Sequence, residues 1–124
     1  MNLTKEDLCA AEELHLIDYY DMPLFFISKV KEEKILLNYY IEKDKQKKAD
    51  LWFIGEILED ELNQLMNGKI SSLALLDNMI ENEKLFYATI SYNKDNVSFK
   101  LVTDDNLDAD ALPQEEVFLA KGFF

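Results

Sequence analysis

Apolar residues in this chain recur at every second position in several short runs, and this alternation limits the fold more than any other feature. A period of two places successive side chains on opposite faces of a β-strand, whereas a helix needs a period near 3.6. Charged or turn-forming residues separate most of the runs, so we expect neighbouring runs to pair as antiparallel strands. The runs are residues 14–20, 24–30, 35–41, 51–54, 85–92 and 97–102.

One of these runs, residues 51–54, reads Leu-Trp-Phe-Ile and is apolar at every position. This pattern predicts a central strand that is covered on both faces of the sheet. The charged residues 31–34 and the polar residues 93–96 are short enough to be hairpin loops. Residues 42–50 have Ala49 as their apolar member, and we expect an exposed, mobile connection there.

Between the fourth and fifth runs the apolar spacing becomes helical, which predicts two short helices. The first has acidic residues at 59–61, where they favour a helix N-terminus, and Gly68 as its stop. The second is expected to begin at Ser71 or Ser72, because serine is a good N-cap residue.

Thr4 followed by Asp7 has the spacing of an N-cap and a first-turn acid, which predicts an N-terminal helix over about residues 5–13. Together the patterns predict one α+β domain over residues 1–124. We expect an antiparallel sheet of five to six strands, with the N-terminal helix and two short helices inserted between strands four and five. An acidic, irregular segment is expected at residues 104–116.

The chain carries 25 acidic and 13 basic residues, all of the latter lysines, for a formal net charge of −12. This charge repels phosphate backbones and anionic lipid headgroups, and the arginine fork that recognises guanine is missing. We therefore expect neither direct nucleic-acid binding nor membrane binding. A basic patch on another protein is the partner that the charge favours. Residues 104–124 are the most acidic block, and residues 43–48 form the basic cluster.

No run approaches the roughly 18–20 apolar residues that a membrane-spanning helix needs. The first seven residues show neither the basic start nor the apolar run of a secretion signal. The single cysteine, Cys9, suits a reducing compartment. We therefore expect a cytoplasmic protein of a bacterium or a phage.

Two short motifs carry a resemblance to a known family. Residues 15–26 read HLIDYYDMPLFF, and residues 67–73 read NGKISSL. The Asp-x-Pro-Leu start before two hydrophobic residues, and the later Asn-Gly-Lys-Ile turn, resemble a family of uncharacterised bacterial domains over about residues 14–91. The resemblance implies a strand meander followed by a small helix. It implies no activity, because no role in that family can be carried over residue by residue.

The C-terminal acids invite a test for calcium. Five oxygen-bearing side chains occupy positions 1, 3, 5, 7 and 12 of the calcium-loop template. They are Asp104, Asn106, Asp108, Asp110 and Glu115. Ala109 stands where the template needs glycine, and Pro113 falls inside the loop. A solvated acidic loop is the favoured interpretation, calcium binding stays open, and we predict no metal or cofactor.

Catalytic chemistry finds little support. His15 is the sole imidazole, and Cys9 precedes it by six residues. A nucleophile needs an adjacent base and an orienting carboxylate, and the spacing requires no such arrangement. A structural histidine and a small buried cysteine are the favoured interpretations. The glycines are too far apart for a phosphate-binding loop. We predict no catalytic residues.

Paired aromatic residues in the predicted strands place one ring on each sheet face. Most of these rings are expected in a core, while a tyrosine patch left exposed would suit a protein interface. Our leading hypothesis is an acidic protein-binding module, comparable to an inhibitor, an immunity protein or an antitoxin, that docks on a basic surface. The predicted partner-binding residues are Tyr19, Tyr20, Tyr39, Tyr40, Asp104, Asp105, Asp108 and Asp110.

The alternative hypothesis is a small-ligand-binding or sensing accessory domain, with a pocket between the sheet and the two inserted helices. An edge strand would also permit a homodimer. An enzyme ranks third.

Overall fold

An antiparallel sheet of six strands forms the centre of the described structure, and its spatial order follows the chain order. The computed structural model describes residues 4, 6, 8, 12–19, 23–30, 34–93 and 95–113; for residues 13–19, 23 and 24 it describes the backbone alone. All neighbouring strands pair antiparallel. The strands are β1 (Glu12–Tyr19), β2 (Pro23–Lys29), β3 (Ile35–Asp44), β4 (Ala49–Ile57), β5 (Leu85–Ser91) and β6 (Val97–Leu101).

Two helices connect β4 to β5 in this part of the chain, α1 (Glu59–Met66) and α2 (Ser72–Glu81). The Ser71 hydroxyl accepts the Ala74 N–H at 3.1 Å, so Ser71 is the N-cap of α2. Gly68 has φ of 70° just after α1, a conformation that glycine adopts without strain. The predicted α+β class, with an antiparallel sheet and two helices, is confirmed. Neither helix is long and apolar enough to cross a bilayer.

The N-terminal helix prediction is only partly addressed by the described residues. Positions 6 and 8 are helical, and the Leu8 N–H donates to the Thr4 carbonyl at 3.4 Å. The predicted end near residue 13 is wrong, because β1 already begins at Glu12 and pairs there with Lys29. The rest of the predicted helix lies outside the described residues.

Residues 42–43 and 45–48 of the connection expected at 42–50 are exposed, as predicted, but the predicted extent of the connection is wrong. Strands β3 and β4 continue through it and pair until Asp44 lies opposite Ala49. The Asp44 carboxylate accepts the backbone N–H groups of Gln46 and Lys47, both at 3.1 Å, and Lys48 takes a positive φ of 50°. Backbone pairing and this turn therefore extend the hairpin where side-chain pattern shows no apolar periodicity.

The larger core lies between one sheet face and the two helices, and we call this face the helix side. Leu65, Leu75 and Leu76 are fully buried against it, and each such side chain contributes roughly 1.5–3 kcal/mol. Gly55 lets residues 79 and 84 approach β4 closely, since a Cβ at this position would collide with the Lys84 carbonyl oxygen and the Met79 methyl group. The core contains Phe25, Ile27, Leu37, Phe53, Ile57, Leu62, Leu65, Leu75, Leu76, Met79, Leu85 and Val102.

The opposite sheet face carries a second, smaller core. Trp52, Ile54 and Ala88 are buried there, and Leu8 packs against them. Phe53, between Trp52 and Ile54 in sequence, points to the helix side and has no exposed surface. The prediction of a central strand covered on both faces is therefore confirmed for β4.

Candidate binding surfaces

The segment 103–113 follows β6 and folds back over the helix side of the sheet. Leu107, Ala111 and Leu112 pack against the same core as the helices. The Tyr87 hydroxyl donates to the Asn106 carbonyl at 2.9 Å and accepts the Asp108 N–H at 3.0 Å. Its apolar inner side chains and the two hydrogen bonds of the Tyr87 hydroxyl therefore hold this acidic segment in a defined position.

The oxygen atoms considered for calcium are partly engaged within the segment. The Asn106 side chain accepts the Thr103 N–H at 2.8 Å and donates to the Leu101 carbonyl at 2.9 Å. One Asp108 carboxylate oxygen accepts the Asp110 N–H at 3.0 Å and caps a 3-10 turn (Ala109–Ala111). Among the described residues no three acidic, histidine or cysteine side chains converge as a metal site would require. Glu115 lies outside the described residues.

Acidic side chains are concentrated on the outside of the helix side. We call residues 58–84 and 103–113 the acidic layer, because both stretches pack on the same core. The acidic layer contains ten acids and two lysines, a net charge of −8 out of the chain's −12. Nine of the ten acids are exposed, Glu61 being half-buried. The predicted site residues Asp104, Asp105, Asp108 and Asp110 are all among the exposed nine.

Leu58 is an exposed apolar side chain in the middle of this charge. It is the N-cap residue of α1 and is 55% exposed, directly before Glu59 and Asp60. A leucine side chain offers no acceptor to the free N–H groups of the first turn, so it is a poor N-cap. The Glu61 carboxylate accepts the Leu58 N–H at 2.9 Å, which supplies one half of a capping box. The sequence pattern did not single out Leu58, because it continues the helical apolar periodicity.

The predicted tyrosine patch is not an open surface where the structure describes it. Tyr39 is half-buried on the helix side, with its ring edge-to-face against Phe25 at 5.2 Å. Tyr40 is half-buried on the opposite face, edge-to-face with Trp52 at 5.1 Å. Both rings thus pack on a core. The side chain of Tyr19, which ends β1, and the whole of Tyr20 lie outside the described residues.

Tyr40 also makes an electrostatic contact. Its hydroxyl donates to an Asp50 carboxylate oxygen at 3.2 Å. Burial first, and then the negative charge of Asp50, raise the pKa of Tyr40 to about 12. This tyrosine keeps its proton at neutral pH and serves as a donor to Asp50.

Among the tyrosine side chains that the structure describes, Tyr92 is the exposed one, at 48%. It follows the last residue of β5, and its N–H donates to the Lys48 carbonyl at 2.9 Å. The sequence does carry a signal for this exposure: Tyr92 directly precedes the polar turn at 93–96, and residues at a hairpin tip extend beyond the sheet. Sequence reasoning did not select it.

A groove of about 420 Å³ opens on the helix side, against the segment 103–113. Leu51, Thr89 and Ser98 lie side by side across β4, β5 and β6 in register and form part of its floor. No residue of α1 or α2 lines it. The groove does not lie between the sheet and these helices, where a pocket was expected. The inner side chains of the helices are closely packed against the sheet in that place.

The groove combines apolar, hydroxyl and charged groups. Its lining divides into an apolar set, a polar uncharged set and a charged set. These are Ile41, Leu51 and Ala111; Tyr87, Thr89, Ser98 and Asn106; and Lys47, Lys100 and Asp108.

The two residues considered for nucleophilic chemistry are not brought together by any described feature. His15 lies in β1 opposite Ile27, and the structure describes its backbone alone. Cys9 lies outside the described residues. The prediction that no residue is catalytic stays a prediction.

No match to this chain is found among protein-family models, curated proteins or solved structures. The resemblance to uncharacterised bacterial domains over residues 14–91 therefore stays a prediction.

Proposed function

We propose that this protein is an acidic protein-binding module that docks its acidic layer on a basic surface of a partner protein. The observation that carries the proposal is the one-sided charge: residues 58–84 and 103–113 hold ten acids against two lysines on one side of the sheet. Charge concentrated on one side orients an approaching partner, whereas an evenly spread charge serves solubility alone.

Leu58 supports a contact at this face. Protein interfaces place an apolar anchor inside a polar rim, and Leu58 is surrounded in sequence by the acids of α1. It occupies a position where serine or aspartate would stabilise the helix better. A residue that breaks a local stability rule in this way is a candidate for a functional role.

The anchored segment 103–113 supports the proposal as well. Its acids are exposed, yet Tyr87 and the apolar inner side chains hold the backbone in place. A preformed charged surface loses little conformational entropy on binding. The partner-binding set thus consists of Leu58 and the acids Asp104, Asp105, Asp108 and Asp110. Tyr39 and Tyr40 support the sheet beneath.

Capture from a lysate of the source organism tests the proposal with matched variants. The immobilised wild-type protein is compared with D104N/D105N in the acidic layer and with E12Q/E42Q outside it, at low and high salt. Both double variants remove two negative charges from exposed positions. We expect a basic protein whose affinity falls by about fivefold in D104N/D105N, at a few tenths to one kcal/mol per charge. E12Q/E42Q should retain it.

High salt should release the same protein, because exposed charges are screened. Equal capture by all three proteins at both salt concentrations would contradict the proposal. A protein captured by wild type and lost in L58S, which should be no less stable, would locate the contact at the start of α1. If instead a second copy of this chain is the species captured, the edge-strand homodimer replaces the basic partner.

A further inference from the structure

The charges at the groove have the opposite balance to those of the whole chain. Of the described residues, two lysines (Lys47 and Lys100) and one acid (Asp108) line it, while the chain has 25 acids and 13 lysines. One carboxylate oxygen of Asp108 is already occupied by the Asp110 N–H. In a strongly acidic protein, this groove is therefore a place where an anionic group is favoured.

The hydroxyl groups beside these lysines supply further donors. Thr89 and Ser98 are directly opposite each other in β5 and β6, and both side chains line the groove. Neither hydroxyl has a hydrogen-bond partner among the described residues. Lys100 is two positions along β6 from Ser98 and so lies on the same sheet face. Hydroxyl and ammonium donors on one face complement the two oxygens of a carboxylate.

The remaining wall suits a hydrocarbon. Ile41 and Leu51 extend from β3 and β4, and Ala111 faces them from the segment 103–113. Contact with such side chains removes apolar surface from water without requiring hydrogen bonds. A volume of about 420 Å³ also lies within the roughly 300–1,000 Å³ of small-molecule sites.

From these contacts we propose that the groove binds a small organic carboxylate with a hydrocarbon body. The carboxylate lies between Lys100, Lys47 and the hydroxyls of Thr89 and Ser98, and the hydrocarbon lies on Ile41 and Leu51. Tyr87 holds the opposite wall in place through Asn106 and Asp108, so the site exists before the ligand arrives. The proposal goes beyond the protein-binding function, because it concerns a concave site. The two sites share Asp108, which lines the groove and also belongs to the acidic layer.

Titration of the full chain with sodium hexanoate tests the site, followed by backbone amide chemical shifts. We expect saturable shifts at Leu51, Thr89, Ser98 and Lys100. Hexanol, which has the same chain length and no charge, should bind at least tenfold more weakly, since a neutral hydroxyl forms no ion pair with Lys47 or Lys100. Equal binding of hexanol, or no shift at these four residues, would overturn the proposal.

Two lysine variants with the same change in net charge identify the contact. K100Q should weaken hexanoate binding by about tenfold, the loss of one charge-assisted hydrogen bond. K69Q changes an exposed lysine outside the groove, between α1 and α2, and should leave binding unchanged. Both lysines are exposed, and unchanged amide spectra away from the mutated sites will establish that each variant folds. Equal weakening by the two variants would mean that hexanoate responds to overall charge, and the proposed site would be wrong.

Discussion

The Tyr87 hydroxyl forms its hydrogen bond with the Asp108 N–H at 3.0 Å while donating to the Asn106 carbonyl at 2.9 Å. One side chain of β5 thereby fixes two backbone positions of a segment about twenty residues further along the chain. Its ring stacks on Phe53 with a centroid distance of 5.3 Å, which sets the direction of the hydroxyl. The acidic segment and the groove both depend on this tyrosine.

Tyr87→Phe removes both hydrogen bonds and keeps the ring. We expect a loss of about 1–2 kcal/mol in the free energy of unfolding, because the Asn106 carbonyl and the Asp108 N–H both lose their hydrogen-bond partner. Hydrogen exchange at the Asp108 amide should quicken more than exchange in β4. Tyr92→Phe is the matched control, since Tyr92 is exposed, and it should change neither quantity. Unchanged Asp108 exchange in Tyr87→Phe would contradict this anchoring role.

Leu58→Ser should stabilise the protein. Leu58 has the extended backbone of an N-cap, φ −80° and ψ 154°, without a side-chain acceptor. A serine hydroxyl there can accept a first-turn N–H. We therefore expect the free energy of unfolding, measured by urea denaturation, to rise by about 0.5–1 kcal/mol. Leu58→Ala, which provides no acceptor, is the control and should show no such gain. A serine variant less stable than the alanine variant would show that Leu58 is held by packing.

The buried Asn38 and Ser28 should behave as a coupled pair. Asn38 is 3% exposed, and its amide donates to the Ser28 hydroxyl at 2.9 Å. Asn38→Leu alone should lower the free energy of unfolding by about 2–3 kcal/mol, because it leaves the Ser28 hydroxyl buried without its partner. Adding Ser28→Ala removes the unsatisfied hydroxyl, so the double variant should recover part of the loss.

A double-mutant cycle from chemical denaturation measures this coupling. The corners are wild type, the two single variants and the double variant. Additive losses would mean that the two side chains contribute independently, contrary to the hydrogen bond.

Tyr40 should ionise late in an alkaline titration. Its pKa is raised from the ordinary 10.0 to about 12, chiefly by burial and secondly by Asp50. The folded state therefore holds the proton more tightly than the unfolded state does. The resulting stability is fully present below pH 10 and is lost as the pH rises towards 12.

Tyrosinate absorbance, compared between wild type and Tyr40→Phe, identifies this step. Asp50→Asn should lower the pKa of Tyr40, because it removes the nearby negative charge. Asp44→Asn serves as the charge-matched control, with its carboxylate engaged in the hairpin turn. An unchanged Tyr40 step in Asp50→Asn would mean that burial alone sets the shift.

Residue patterns predict the strands well where packing and pairing coincide. The four apolar residues at 51–54 correctly indicate a strand covered on both faces, because Trp52, Phe53 and Ile54 are buried on alternating faces. Leu51 is half-buried. The pattern misplaces the strand ends. Ladder hydrogen bonds continue through Lys43 and Asp50, whose charged side chains give no apolar signal.

The candidate site, too, could be predicted from the sequence only in part. The exposed acids at 104–110 follow from charge alone, since carboxylates stay in water unless they are paired. The burial of Tyr39 and Tyr40 could not be predicted from alternation, which says that two neighbouring rings lie on opposite faces but leaves open whether each face is covered. The exposure of Leu58 could not be predicted either, because its spacing is the same as that of the buried leucines of α1.

Alternation and charge by themselves determine that this chain forms an antiparallel sheet with two helices and a strongly acidic exterior. These properties are local, or are sums over the residues. Tertiary structure alone decides that the segment 103–113 joins the helices in one acidic layer, that Leu58 is exposed within it, and that a groove with two lysines opens beside it. The reason is physical: each of these depends on contacts such as Tyr87 with Asp108, between residues that only folding brings together.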